Sequence, residues 1–138
     1  MGRPPFYTVN EKYFNKVSNY KSAYILGFIY ADGSVQDRTG LSVCIHKRDL
    51  EILEFIRTEL KSNHLIKEFN GDYIRVVINR KEIIKDLRFF GIPKNKNNNI
   101  ELPDIDNSLM SYFLLGYFYL FLQVYLLLHY EQLLTILN

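Results

Sequence analysis

The sequence predicts an α+β domain in which helices alternate with β-hairpins around one antiparallel sheet. Residues 41–47 alternate apolar and polar side chains, which is the periodicity of a strand with one buried face. An Asn-Gly-Asp turn at 70–72 separates two short strand-like runs. Residues 50–60 and 81–90 repeat apolar side chains at helical spacing. Together these patterns favour helices on one face of the sheet and an open second face.

The first elements are two helices. A short helix is predicted to run through Val17 with Asn10 as its N-cap, and a second to run from about Lys21 to Ala31. The second helix is apolar nearly all round, which indicates burial or an interface. Gly33 directly after it predicts a left-handed residue that ends the helix.

From the second helix onward, two hairpins and two further helices give the order αββαββα. Strands are predicted at 34–36, 41–47, 65–69 and 73–80, and helices at 49–61 and 81–90. Asp49 is the predicted N-cap of the first of these helices, and Gly91 and Pro93 are predicted to end the second.

The charge of the chain divides it into two parts. All 17 Lys and Arg residues lie at or before Lys96, so residues 1–96 carry a net charge of +6 and residues 97–138 carry −4. The first part can meet a polyanion such as nucleic acid, and the second cannot. With the apolar character of the C-terminal residues, this division predicts a domain at 1–106 and an apolar tail at 107–138 that forms a C-terminal helix.

Two features bear on the compartment of the protein. The single cysteine, Cys44, excludes an internal disulfide and fits a reducing environment. The N-terminal Met-Gly-Arg-Pro-Pro is not followed by an apolar stretch, so a secretory signal is not expected. We therefore expect a bacterial or phage protein of the cytoplasm, or a protein of an organelle interior, and not a secreted one.

Residues 25–34, Ile-Leu-Gly-Phe-Ile-Tyr-Ala-Asp-Gly-Ser, resemble the LAGLIDADG motif of homing endonucleases. Phe-Gly-Ile-Pro-Lys-Asn-Lys at 90–96 and Glu-Leu-Pro at 101–103 are similar to the connector of two-repeat members. Leu-Leu-Gly-Tyr-Phe at 114–118 repeats the start of the motif 89 residues later. The resemblance covers roughly residues 7–118 and implies a LAGLIDADG half-domain whose antiparallel sheet is a DNA-facing saddle.

The resemblance implies a pair of motif helices that meet along a pseudo-dyad. The small residues Gly27, Ala31 and Gly116 would allow their close approach. Asp32 at the end of the first helix is implied as the catalytic carboxylate and as a ligand of Mg²⁺, which prefers oxygen. The implied activity is site-specific hydrolysis of double-stranded DNA. Taken alone, Asp-Gly is also an ordinary helix-ending turn.

The open sheet face is the DNA surface that the resemblance implies. Arg, Asn and Gln can read base edges there, and Lys can hold phosphates. The predicted DNA-binding residues are Gln36, Arg38, Ser42, His46, Lys47, Lys67, Tyr73, Arg75 and Asn79. The family also places a basic residue near the active site, and Lys47, Arg75 and Arg80 remain open candidates for it.

The second motif departs from the family after Phe118. The positions that match Asp32 and Gly33 are Phe121 and Leu122, so the second carboxylate is missing. This predicts a truncated, frameshifted or decayed copy without efficient double-strand cutting, unless a homodimer formed through the motif helix brings together two copies of Asp32.

Two alternatives to a nuclease remain. A non-catalytic DNA-binding protein on the same fold would keep the basic sheet face without needing Asp32. A small membrane-associated protein is the third possibility, because residues 109–128 are mostly apolar and long enough to span a bilayer. No Lys or Arg flanks that segment, which argues against insertion.

Overall fold

The structure is a computed structural model that describes residues 7–92 and 101–137. Within them the chain forms a mixed α+β arrangement with a four-stranded antiparallel sheet and six α-helices. The elements are α1 Tyr20–Asp32, β1 Gly33–Gln36, β2 Gly40–His46, α2 Leu50–Glu59, β3 Lys67–Phe69, β4 Tyr73–Ile78, α3 Lys81–Phe89, α4 Met110–Tyr117, α5 Tyr119–Leu128 and α6 Tyr130–Leu137. Through α3 this is the predicted order of helices and hairpins. The predicted stop at Pro93 and most of the predicted connector lie outside the described residues.

The sheet has the strand order β1-β2-β4-β3, with every neighbouring pair antiparallel. Cys44 of β2 and Lys67 of β3 both pair with Arg75 of β4, which fixes the register across the sheet. The residues that face the core are Val35, Leu41, Val43, Ile45, Ile74, Val76 and Ile78. Their neighbours along each strand point to the other face, because strand side chains alternate.

The core lies between the sheet and the helices, and α1 runs through it. Ile25, Leu26, Phe28 and Ile29 of α1 are completely buried. Each buried side chain of this size contributes about 1.5–3 kcal/mol relative to an exposed one. Phe113 of α4 is also completely buried and belongs to the same core. The predicted boundary at residue 106 stays a prediction.

Local side-chain and backbone preferences determine the start of α1 and the turn of the β3–β4 hairpin. Asn19 caps α1, because its side chain accepts the backbone N–H of Ser22 at 2.8 Å while the Ser22 hydroxyl accepts the N–H of Asn19 at 3.3 Å. In the β3–β4 hairpin, Asn70 has φ 53° and Gly71 has φ 81°. These left-handed conformations are the ones that Asn and Gly favour, so the predicted hairpin turn is confirmed.

The predicted helix from Asn10 to Val17 is wrong. Only a 3-10 turn forms there, at Tyr13–Asn15. Hydrogen bonds to distant residues hold the preceding segment instead. The Asn10 N–H donates to the Leu60 carbonyl at 2.7 Å, and the Thr8 N–H donates to the Asn63 side chain at 2.7 Å. Tertiary contacts thus override a weak local signal.

Gly33 follows the end of α1 as predicted, but the predicted left-handed conformation is wrong. Gly33 has φ −92° and ψ 167°, which is extended backbone, because it is already the first residue of β1 and pairs with Val43. What requires glycine is space: a Cβ there would lie 2.8 Å from Cγ2 of Ile29. Asp49 precedes α2 as predicted, but its side chain makes no capping hydrogen bond.

The apolar C-terminal segment, predicted as a single helix, is instead three helices. The segments Asn107–Tyr117 and Tyr119–Leu128 are bent by 58° at Phe118, and a second break occurs at His129. The bend at Phe118 allows Tyr119 to pack against Phe28 with ring centroids 5.6 Å apart. Packing against α1 therefore breaks a run that composition alone predicts to be continuous.

Candidate helix-pair site and nucleic-acid interface

Helices α1 and α4 cross at two glycines. A Cβ on Gly27 would overlap the carbonyl oxygen of Phe113, and a Cβ on Gly116 would overlap that of Tyr24. The two contacts are reciprocal, since Gly116 lies 89 residues after Gly27 and Phe113 lies 89 residues after Tyr24. Only glycine allows backbones to approach this closely. Gly27 and Gly116, which the sequence predicted to lie in a helix interface, are both placed at this crossing.

The reciprocal contacts relate α1 and α4 by an approximate twofold axis. This relation includes one further residue on each helix, Phe28 and Tyr117, and then ends. The Cβ on Gly27 would lie 3.0 Å from the backbone nitrogen of Tyr117, and the Cβ on Gly116 would lie 3.0 Å from that of Phe28. Phe28 and Tyr117 are again 89 residues apart in the sequence. Beyond Tyr117 the chain bends into α5, whereas α1 continues straight to Asp32. The equivalence of Phe121 with Asp32 thus holds in the sequence, while the backbones that carry them diverge.

A cleft of about 460 Å³ lies where the two helices end. Asp32 is partly buried in it, and Ala31 lines it beside α5 rather than at the glycine crossing. The remaining lining residues are Tyr30, Tyr117, Phe118, Leu120 and Phe121. One carboxylate thus faces a surface of aromatic and aliphatic groups.

This donor set does not fit a pair of metal ions. Mg²⁺ takes oxygen ligands in octahedral geometry, and an apolar ring supplies none. In the described part of the chain, no three His, Cys, Asp or Glu side chains come together as a metal-binding group. Asp32 alone is a partial ligand set for one Mg²⁺, which needs further oxygens from water and from a phosphate.

Tyr30 is a residue of this region that the sequence reasoning missed. It is buried, its ring packs edge-on against Phe113 at 5.0 Å, and its hydroxyl donates to the carbonyl of Phe90. Burial raises the pKa of Tyr30 to about 12, so it remains protonated at neutral pH. Its role is to fasten the end of α1 to the end of α3.

The open sheet face brings five of the predicted DNA-binding residues together. Directly paired positions form two rows across β2, β4 and β3. The rows are Cys44–Arg75–Lys67 and His46–Tyr73–Phe69, and Ser42 pairs with Val77 beside them. The Arg75 guanidinium lies over the Phe69 ring, 4.4 Å from its centroid, which is a cation–π contact. Phe69 was not predicted and is half exposed.

The remaining predicted residues lie at the ends of the strands. Gln36 and Arg38 are exposed at the β1–β2 turn, and the Asn79 side chain donates to the Arg38 carbonyl at 3.1 Å. Lys47 pairs with Asp72 at 3.5 Å at the other end. Such exposed pairs contribute about 0–1 kcal/mol, so Lys47 is not held strongly.

None of the three candidates for a basic residue near Asp32 is placed at the Asp32 cleft. The residues that line the Asp32 cleft, within the described ranges, do not include Lys47, Arg75 or Arg80. Arg80 instead donates to the Tyr7 carbonyl and pairs with Glu11 at 3.9 Å. It therefore serves the N-terminal segment.

Helix α5 stands beside one end of the open sheet face. A cleft of about 480 Å³ separates them, with Cys44, His46 and Tyr73 on the sheet side. Leu120, Gln123, Val124 and Leu127 line the α5 side. The His46 ring accepts the backbone N–H of Arg48 at 3.1 Å, so one ring nitrogen is used to shape the chain after β2.

No single helix of residues 7–92 or 101–137 has both the length and the apolar character needed to cross a bilayer. Asn107–Tyr117 and Tyr119–Leu128 meet these criteria only when taken together as a bent pair. Comparisons of the sequence with known proteins give no lead. No protein-family model matches the chain, and neither does any curated protein.

Proposed function

We propose that this chain binds double-stranded DNA through the open face of its sheet, on a half-domain of the LAGLIDADG homing-endonuclease type. The single observation that carries the proposal is the reciprocal crossing of α1 and α4 at Gly27 and Gly116. A crossing of two motif-like helices at small residues is the arrangement that the sequence resemblance implies. It supports kinship with that family on grounds other than sequence.

The surface next to the crossing suits DNA. Lys67, Arg75 and Tyr73 share the open face, and Arg38 and Lys47 extend it at opposite ends. A β-ribbon of this kind fits the major groove, where Arg contacts guanine or phosphate and Lys contacts phosphate. All cationic residues of the chain precede residue 97, so the region that contains the sheet carries its positive charge.

Double-strand cleavage is not part of the proposal. Cutting both strands requires an acidic ligand set for each strand, and the cleft at the helix ends offers Asp32 opposite the ring of Phe121. A homodimer could supply a second Asp32, but α4 already covers the Gly27 face of α1. We therefore propose a DNA-binding unit in which Asp32 supports at most slow, Mg²⁺-dependent nicking.

The test is binding of the full chain to a labelled mixed-sequence duplex, followed by fluorescence anisotropy over a series of salt concentrations. We expect the logarithm of the binding constant to fall linearly with the logarithm of salt, because phosphate contacts release counterions. Replacing Arg38 and Arg75 by Gln should weaken binding at least tenfold. The double variant Lys81→Gln/Lys85→Gln is the matched control, since both lysines are exposed on α3, behind the sheet.

Two outcomes contradict the proposal. One is the absence of binding by the folded chain at low salt. The other is an equal loss of affinity in Lys81→Gln/Lys85→Gln and in the sheet-face variant, which would indicate attraction by overall charge alone. For the nuclease question, the same duplex is incubated with Mg²⁺: nicking should be absent in Asp32→Asn, and double-strand breaks that persist in Asp32→Asn would refute the role of Asp32.

A further inference from the structure

A pocket of about 230 Å³ opens beside β4, where the chain before β3 leaves the sheet. It is lined by Tyr7, His64, Leu65, Lys67, Arg75 and Val77. Strand pairing begins only at Lys67, opposite Arg75, so the residues before it diverge and leave a gap next to Val77. At about 30 Å³ for each water, the gap has room for roughly seven waters, and hence for a phosphate group with part of its sugar.

The pocket carries positive charge without a matching acid. Lys67 and Arg75 occupy paired positions on the same face, so their side chains project together. No carboxylate of the described residues forms an ion pair with either one. Stacking on Phe69 orients the Arg75 guanidinium but does not neutralise it. Two uncompensated cations at a concave site favour an anion.

The aromatic wall of the pocket is fixed by hydrogen bonds. Tyr7 stacks on His64 with ring centroids 4.7 Å apart, and Arg80 donates to the Tyr7 carbonyl. The His64 ring is bonded through Nδ1 to the Ser62 hydroxyl at 2.6 Å, and Arg57 donates to the His64 carbonyl at 2.9 Å. The wall therefore exists before any ligand arrives.

His64 itself is a neutral part of that wall. It is almost completely buried. Burial, together with the positive charge of Arg80, lowers the pKa of His64, so that the ring is uncharged at neutral pH. The charge that an anion meets in the pocket therefore comes from Lys67 and Arg75.

We propose that this pocket binds a single phosphate group, held jointly by Lys67 and Arg75 against the wall formed by Tyr7 and His64. The proposal rests in part on the DNA-binding function, since a backbone phosphate of DNA is one source of the ligand. A free phosphate or mononucleotide is the other. In either case the guanidinium of Arg75 and the ammonium of Lys67 act on the same anion.

The first experiment measures the salt dependence of duplex binding by the full-length wild type, Lys67→Gln, Arg75→Gln and the double variant. Each neutralised phosphate contributes a slope of about −0.9 in log–log form. If both residues hold one phosphate, the double variant should lose a slope of about 0.9 in total. Residues that hold two different phosphates would lose about 1.8, and that result overturns the proposal. Lys85→Gln serves as the control for loss of a single charge.

The second experiment separates the pocket from the DNA-binding function. Inorganic phosphate is titrated into ¹⁵N-labelled full-length protein at constant ionic strength in chloride. We expect amide shifts at His64, Lys67 and Arg75 that saturate in the wild type and in Lys85→Gln but vanish in the double variant. If the wild type fails to bind duplex while these shifts appear, the DNA proposal fails and the pocket stands. If phosphate moves none of these amides, the pocket proposal fails even when DNA binds.

Discussion

The apolar side chains of residues 7–92 lie mostly inside the domain, whereas most of those in residues 107–137 lie on its surface. Helices α1, α2 and α3 each turn an apolar face to the sheet or to one another. From α4 onward, Phe113 and Gly116 are the only buried residues within the described part of the chain. In α5 and α6 no described residue is buried.

This difference shows what apolar composition does and does not specify. Both regions are rich in Leu, Ile, Phe and Tyr, but α2 and α3 of the first region space them along one face, and the nearly all-apolar α1 is covered by the sheet and by α4. α5 is apolar except at Gln123, so burying its whole circumference would require a second surface. Exposed apolar patches of this extent are sites of association or aggregation. The two regions therefore differ in how far their apolar surfaces are covered by partners more than in hydrophobicity.

The largest expected effect is at the glycine crossing that joins the two regions. In an exposed helix, Gly→Ala stabilises by about 1 kcal/mol. Gly27→Ala should instead destabilise by at least about 2 kcal/mol, because its methyl group would overlap the Phe113 carbonyl. Gly116→Ala should cost a similar amount, since its methyl group meets the Tyr24 carbonyl in the same way. Urea unfolding of each variant measures the change.

Gly71→Ala is the matched control for the crossing. Gly71 has φ 81° and open space around it, so an added methyl group meets no atom. Its cost is backbone strain alone, about 1 kcal/mol. If Gly27→Ala were neutral or stabilising, the close contact of α1 with α4 would be wrong, and the two regions would not be joined as described.

A smaller effect is expected from His64, which lies entirely within the first region. Its pKa is lowered in the folded protein, so the unfolded chain takes up a proton more readily than the folded one. Its contribution to stability should be complete above pH 6.5 and be lost as pH falls through the lowered folded pKa. Unfolding free energies at pH 7.5 and 5.5 should therefore differ less in His64→Phe, which retains a ring to stack on Tyr7. Equal pH dependence in both proteins would show that His64 does not titrate as inferred.

The smallest expected effect on stability is in the second region. Replacing the exposed Leu127, Leu128, Ile136 and Leu137 by Gln should change the unfolding free energy by no more than about 0.5 kcal/mol, because none of them is buried. Soluble yield should nevertheless rise severalfold as the apolar patch is broken up. A large loss of stability would mean that these side chains are packed and that the contrast between the regions is overstated.

Much of the fold follows from local patterns in the first region. The alternation at 41–47 predicted β2, the Asn-Gly turn predicted the β3–β4 hairpin, and Gly91, with φ 99°, ends α3 as expected. The failures occur where distant contacts decide. Asn10 bonds to Leu60 instead of starting a helix, and packing against α1 bends the tail at Phe118. No local pattern contains that information.

The residues of the candidate site likewise divide into those that the sequence predicted and those that only the tertiary structure brings together. Gly27 and Gly116 were found from the repeated motif, because a small residue at matching positions is visible in the sequence. The strand alternation likewise placed Arg75 and Tyr73 on the open face. The phosphate pocket was not foreseen, since Tyr7 and His64 are 57 residues apart in the chain and meet only through stacking. Its signal lies in the tertiary structure.

Hydroxyl-radical footprinting of the full chain, with and without duplex, tests whether DNA contacts the sheet face and not the apolar tail. Phe69 and Tyr73 on the sheet face are 42% and 45% exposed, and Tyr130 on α6 and Phe89 on α3 are 60% and 81% exposed. All four rings are therefore oxidised in the free protein. We expect duplex to protect Phe69 and Tyr73 and to leave the oxidation of Tyr130 and Phe89 unchanged. Protection of Tyr130 with Phe69 and Tyr73 still fully reactive would contradict it.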